Sequence, residues 1–359
     1  FIALSNILKG YFYGISKIVV PAFVDIFEKA MRIIIISLLV YVFKAQTLSS
    51  LVTLAYVSLA LGELQSLLLL YAYYKKISKQ LPKSYEKTES RAQLLFNVLV
   101  ISLPLCLNGF LSNGFSTIST LIVPRQLVAS GIDYSAALNL IGKFSGMALT
   151  IVTFPLIVVN SINSLLVPDL SKSISEGDYY NATQRIKTVL KIAFLLGMAT
   201  TIICLVIPDS LGMMFFGRDD LGLYIKLSSL SAPIFFTANT MFGILNGLNR
   251  QSIIVSLVEV ICLYTLTAIP SINIFSYAIT ICITSSISLI INLHEVKKHI
   301  DLNICTANII IFFLTGVLVF LMIRLFANRL LSDLFITKNI IILVLTYGIF
   351  AYLSRFGID

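Results

Sequence analysis

The sequence predicts an all-α fold, a polytopic bundle of transmembrane helices. Apolar runs about as long as a bilayer is thick follow one another almost from end to end, and a spanning helix needs about 20 mostly apolar residues. Hydrophobic residues make up 58% of the 359 and charged residues only 12%. The mean hydropathy of +0.95 exceeds what burying a soluble core requires.

Taken in order, residues 1–9 read as the end of a helix, and a chain that opens on Phe1 is expected to lack the N-terminal part of the native protein. Ten complete spans follow, near 22–43, 48–74, 94–122, 138–160, 189–207, 222–245, 252–269, 274–293, 304–323 and 339–356. The polar stretches near 75–93 and 169–187 are of loop scale, too short for a soluble domain. Pro104, Pro124, Pro155 and Pro168 permit bends, and the glycine pairs Gly10/Gly14, Gly142/Gly146 and Gly243/Gly247 suit close helix packing. If the N-terminal tail ends inside, sixteen loop Lys and Arg fall on the inner side and seven on the outer, which fixes the orientation. The net charge of +9 then sits on loops facing anionic lipid, so the basic balance does not indicate nucleic acid.

No cofactor or metal site is expected. Cys106, Cys204, Cys262, Cys282 and Cys305 lie in or beside apolar spans without paired spacing, and His294 and His299 are not spaced to share one helix face. Asn6 to Gly10 is echoed by Gly243 to Gly247, and allowing a gap in the turn sets Glu28 opposite Glu259. Two similar bundles in the same orientation are the architecture of parallel-repeat transporters.

Charges inside the spans mark the candidate site. Asp25, Glu28, Lys29 and Arg32 occupy i, i+3, i+4 and i+7, one helix face. A span starting after Arg32 leaves residues 33–43, about half the length needed, so part of that face enters the membrane. At about 1.5 Å per residue Arg32 lies roughly 15 Å past Ala22, near the midplane, where a charge costs about 2.5–3.5 kcal/mol and faces a cavity or a partner. Glu63 has no basic residue on its own span, so it pairs with Arg32 or Lys29 or carries a proton, and Glu259 is a similar case. Arg125 and Lys143, at the end of one span and inside the next, suit a phosphate-bearing head group, with interfacial snorkelling the plain alternative for Arg125.

Residues 121–173, LIVPRQLVASGIDYSAALNLIGKFSGMALTIVTFPLIVVNSINSLLVPDLSKS, resemble the central signature of the polysaccharide flippase family, especially its stage V sporulation protein B branch. So do ILKGYFYG (7–14), ALGELQSLLLLY (60–71) and ISLPLCLNGF (101–110). The resemblance covers roughly residues 1–300 and departs at 273–277, where bulky residues replace a small glycine-containing turn.

What the resemblance implies is a two-lobed MATE-like exporter fold with two extra C-terminal helices. Residues 1–74 become the remainder of the N-terminal lobe (the end of helix four, with helices five and six) and 75–93 a cytoplasmic linker. Residues 94–300 become the C-terminal lobe and 301–359 the two additional helices. The implied activity is not enzymatic. It is translocation of lipid-linked peptidoglycan or polysaccharide precursors across the cell membrane, for spore cortex or cell wall. Arg32, Arg125 and Lys143 are the expected head-group ligands, with Asp25, Glu28, Lys29, Glu63 and Glu259 as charge partners or ion-coupling sites. Expected partners are an undecaprenyl-pyrophosphate-linked glycan precursor, membrane lipids and cell-wall synthesis proteins, with no nucleic acid. A cation-coupled multidrug antiporter and a non-transporting structural partner are the alternatives.

Overall fold

The computed structural model describes residues 1–15, 17, 19–44, 47–79, 90–247, 254–269, 272–298, 306–329 and 335–355, and these are helical without a strand. The chain divides into two compact units, Phe1–Leu94 and Leu95–Asp359.

Unit 1 holds α1 (Ile2–Gly14), α2 (Val19–Phe43) and α3 (Leu48–Ser78). The helices α1 and α2 both pack on α3. Phe12, Val24, Leu70 and Ile77 form the small core, and Tyr11 meets Tyr74 edge-on with ring centroids 4.9 Å apart. The hydroxyls of Ser5 and Ser66 lie 3.3 Å apart between α1 and α3.

Unit 2 begins in α4 (Arg91–Ala129), whose 39 residues exceed the expected span at both ends. The expected span 138–160 is three pieces: α5 (Tyr134–Ile141), a π-helical turn (Gly142–Ala148) and α6 (Leu149–Thr153). A break at Phe154 and Pro155 leads into α7 (Leu156–Ser175). The stretch 169–187, expected to be a loop, is instead the end of α7, a tight turn with Gly177 at φ +76°, and the start of α8 (Tyr179–Val206). Hydropathy misses these turns because they are amphipathic rather than apolar. Ala182, Ile186, Val189 and Leu190 recur at helical spacing and bury against Leu166 and Leu170.

The expected span 222–245 is also broken. α9 (Pro208–Phe216) follows α8, and α10 (Gly222–Ser229) is separated from α11 (Ala232–Gly247) just before Pro233, which lacks the N–H a continuous helix would use. α12 (Ile254–Thr267) and a 3₁₀ turn (Asn273–Phe275) precede α13 (Ser276–Lys297), α14 (Thr306–Arg329) and α15 (Phe335–Arg355). The bulky residues of that turn have a use: Ile274 is buried, and Phe275 stacks on Tyr224 at 5.8 Å.

Of the glycine pairs expected to bring helices together, Gly10, Gly14, Gly142 and Gly146 have open space where a side chain would point, and Gly243 and Gly247 lie where side-chain surroundings are not described. The close approach is at Gly197 instead. A Cβ there would stand 2.5 Å from Pro233 Cα and 2.8 Å from the Ala232 carbonyl oxygen, so α8 and α11 touch backbone to backbone. α14 and α15 pack on the same α8, with Val319, Ile323, Ile342 and Phe350 in its core.

Among the described residues, six stretches are long and apolar enough to cross a membrane: Ser49–Ser78, Tyr134–Thr153, Tyr179–Val206, Ser276–Lys297, Ile310–Ala327 and Thr337–Ser354. The 25-residue α2 misses that description through its charges, not its length. The protein is a multi-pass integral membrane protein.

Candidate functional site

The charged face of α2 is built into unit 1 as a cluster. Glu28 is buried at 6% exposure and forms an ion pair with Arg32 one turn on, and the Glu63 carboxylate from α3 stands 3.6 Å from the same guanidinium. One arginine between two glutamates leaves the trio with a net charge of −1. Arg32 Nε is buried without a hydrogen-bond partner, although the side chain as a whole is 32% exposed. The cluster needs Gly62, because a Cβ at that position would lie 3.0 Å from Glu28 Oε1 and 3.5 Å from Arg32 Nε.

The other two members of the face part company with this trio. Asp25 pairs with Lys9 of α1 at 2.7 Å rather than with Lys29. Lys29 is exposed and makes no ion pair among the described residues. Both Lys9 and Gly62 escaped sequence reasoning: Lys9 reads as a helix-end cation, and nothing local signals what a glycine abuts.

In unit 2, Lys143 lies in the π-helical turn and its Nζ is 2.7 Å from Asp220 Oδ2, on the loop between α9 and α10. Arg218 grips the same carboxylate with two bonds, Nε to Oδ1 at 2.9 Å and a terminal guanidinium nitrogen to Oδ2 at 2.7 Å. The Arg218 bonds first, then the Lys143 bond, hold the Asp220 carboxyl well below the usual carboxylate range, and Asp220 in turn raises Arg218. Aromatic rings brace the turn: Phe144 stacks on Tyr277 at 5.6 Å and meets Tyr224 edge-on at 6.4 Å.

The expected pairing of Lys143 with Arg125 has no counterpart in this geometry. Val123 and Leu127 of α4 are buried in the same cluster as Phe144. At about 100° per residue Arg125 falls roughly 160–200° round α4 from both, and it is exposed. Glu259 on α12 is half-buried beside Tyr277, with no ion pair among the described residues. Asn239 of α11 donates a 2.8 Å bond to Asn160 of α7, a polar tie between two helices of unit 2. No group of three or more metal-ligating side chains occurs among the described residues, and His299 and Cys305 lie outside them.

The described residues define a polytopic helical membrane protein. Among solved structures, the fold is similar to that of the lipid II flippase MurJ in its inward closed conformation, with a TM-score of 0.62 over 98% of this chain and 71% of that one, at 15% identity. It is also similar to a MATE protein in its bent conformation, with a TM-score of 0.62 over 82% of this chain and 65% of that one, at 12% identity. In sequence the chain is related to stage V sporulation protein B of Bacillus subtilis, 24% identical over 311 residues, 84% of this chain and 60% of that protein. It is similar as well to sporulation protein YkvU of Bacillus subtilis, 21% identical over 226 residues, 63% of this chain and 51% of that protein. The resemblance to stage V sporulation protein B is thereby borne out, and the chain spans 60% or less of the length of these two relatives. No family model matches the chain.

Proposed function

We propose that the protein is a flippase. It carries lipid-linked peptidoglycan or polysaccharide precursors across the cell membrane by alternating access, in support of spore cortex or cell-wall synthesis. The observation that carries the reading is Arg32, a guanidinium one-third exposed on an apolar helix, held by Glu28 and Glu63 and left with a spare buried donor. Intramembrane charges are retained where they serve a pathway, and a fork of N–H donors matches phosphate oxygens. Relatedness to a sporulation protein and a fold shared with a lipid II flippase support the same reading.

In this mechanism the pyrophosphate of an undecaprenyl-linked glycan meets cationic side chains of each unit separately, Arg32 in unit 1 and Lys143 or the exposed Arg125 in unit 2, while the polyprenyl tail stays in lipid. Glu28 and Glu63 hold Arg32 in place when no phosphate is near, and Asp25 with Lys9 ties α2 to α1. Partners in cell-wall synthesis are proposed on the same basis.

The test is translocation of labelled undecaprenyl-pyrophosphate precursor in liposomes of the full-length protein, with Arg32→Ala and Arg125→Ala alongside. Movement that depends on either arginine supports the reading. No movement above protein-free liposomes, with folding verified and several lipid-linked sugars tried, rejects it. The acid excess of the Glu28–Arg32–Glu63 trio favours one rival, a cation-coupled antiporter, which transport of small cationic dyes lost in Glu63→Gln would support.

A further inference from the structure

The Lys143–Asp220–Arg218 cluster has more cation than its one carboxylate needs. A bidentate arginine already matches both oxygens of a carboxylate, and that is how Arg218 holds Asp220. Lys143 then adds a second full positive charge at 2.7 Å to the same Oδ2, so the trio carries net +1. Among the described residues, the other charged groups nearby do not complete the balance through contact. Asp219 is exposed and acts on Arg218 only over longer range, while Asp209 lies against Gly222 at the start of α10.

All three side chains are reachable: Lys143 is 20% exposed, Asp220 37% and Arg218 39%. Lys143 sits in the turn whose Phe144 is buried among Tyr224 and Tyr277, and Arg218 and Asp220 sit on a five-residue connection that opens with Gly217 at φ +65°. That connection is on the side expected to face outward from the distribution of basic residues.

We propose that Lys143 and Arg218 form a binding site for a phosphate or pyrophosphate head group of a lipid on the outer side, with Asp220 as the resident anion that the arriving phosphate displaces. The proposal rests on the flippase reading for the identity of the lipid but not for the site itself. A monoanionic carboxylate leaves one of two cations in excess. A phosphate of two or more charges offers more acceptor oxygens and satisfies both, while a neutral or cationic solute gains nothing there. When the phosphate leaves, Asp220 closes back onto the pair, so the site empties without leaving two like charges side by side. For a transporter that is the behaviour wanted at a point of release: capture strong enough to draw the head group across and a built-in competitor to let it go.

The experiment is equilibrium binding of fluorescent undecaprenyl pyrophosphate to the full-length protein in phosphatidylcholine nanodiscs, with inorganic pyrophosphate as competitor. Asp220→Asn removes the competing charge and tightens binding by about fivefold or more, the low end of ordinary coupling between exclusive ligands. Lys143→Gln weakens it about tenfold, as expected for loss of one charge-assisted contact, and Lys143→Arg restores it. Adding Lys143→Gln to Asp220→Asn cancels the gain.

Unchanged or weaker binding in an Asp220→Asn protein whose thermal melt is intact overturns the proposal, as does wild-type binding by Lys143→Gln. If phosphatidylglycerol in the nanodisc displaces the probe as well as pyrophosphate does, the site takes phosphate head groups in general. If only pyrophosphate competes, the lipid-linked precursor is the occupant. Binding is read without translocation, so a protein that binds this way yet fails to move lipid sinks the flippase reading and leaves the site standing.

Discussion

Unit 1 sets one base between two acids, Glu28–Arg32–Glu63, and unit 2 sets one acid between two bases, Lys143–Asp220–Arg218. The trios are inverses in charge and also in setting. The first is made by helix side chains on apolar elements with Glu28 nearly sealed, whereas every member of the second is at least a fifth exposed and two of them lie on a loop. Charges in a dry setting hold partners tightly because separation exposes an uncompensated ion, while charges in contact with water exchange partners readily. The contrast in exposure is therefore expected to make the first cluster release its partners less readily than the second.

The comparison is broken most sharply at Arg32. Arg32→Leu leaves Glu28 and Glu63 facing each other without a cation, and the expected loss of stability is on the order of 3 kcal/mol, seen as a fall in thermal inactivation temperature in detergent. Removal of Arg218 is expected to change that temperature little, with what effect there is disappearing in high salt. Equal sensitivity of the two would show that exposure does not separate the clusters.

Next in size are the glycines. Gly197→Ala pushes on the backbone of Pro233 and Ala232, which cannot swing aside, and is expected to cost about 2–3 kcal/mol. Gly62→Ala presses on the end of Glu28, a movable side chain, and is expected to cost about 1 kcal/mol while turning Arg32 and so reducing transport more than stability. Gly142→Ala meets open space and serves as the neutral control in the same melts.

The smallest effect is a titration. Besides Asp220, the carboxyls of Asp178 and Asp133 are lowered in the folded state. The Asn181 side-chain and backbone amides lower the first, and the Ser135 hydroxyl and backbone amide lower the second. A lowered folded value means that the ionised form is the stabilising one. The contribution is complete above the ordinary value near 4 and fades as pH falls through the folded values. Melting temperature is expected to be flat from pH 7 to 5 and to drop below about pH 4. Asp178→Asn, which keeps an N-terminal cap but does not titrate, is expected to blunt that drop.

Much of unit 1 could be read from the chain because its signal is local. Glu28 and Arg32 are four residues apart, and a helix of that length has to carry them into the membrane. The pairing of Arg32 with Glu63 follows from α2 and α3 being consecutive helices with little chain between them. Asp220 stands far from Lys143 in sequence, and only the packing of α10 against α6 and the π-helical turn brings them together. Periodicity is likewise silent on where a helix breaks, so one expected span became α10 and α11, and a polar stretch became the base of α7 and α8. Hydropathy measures what lipid would accept and takes no account of helices that continue past the membrane by burying one face on each other.

The π-helical turn at Gly142–Ala148 is in effect a wedge of extra chain, since its backbone closes each ring over five residues instead of four. One extra residue turns the helix that continues from it, α6, by about 100° from where ordinary winding would place it. Deleting a single residue within the turn would restore ordinary winding and swing the side chains of α6 round the axis as a group, with their sequence untouched. A change of one residue in length here would thus re-aim the face of α6 in a single step, where point substitution would need several.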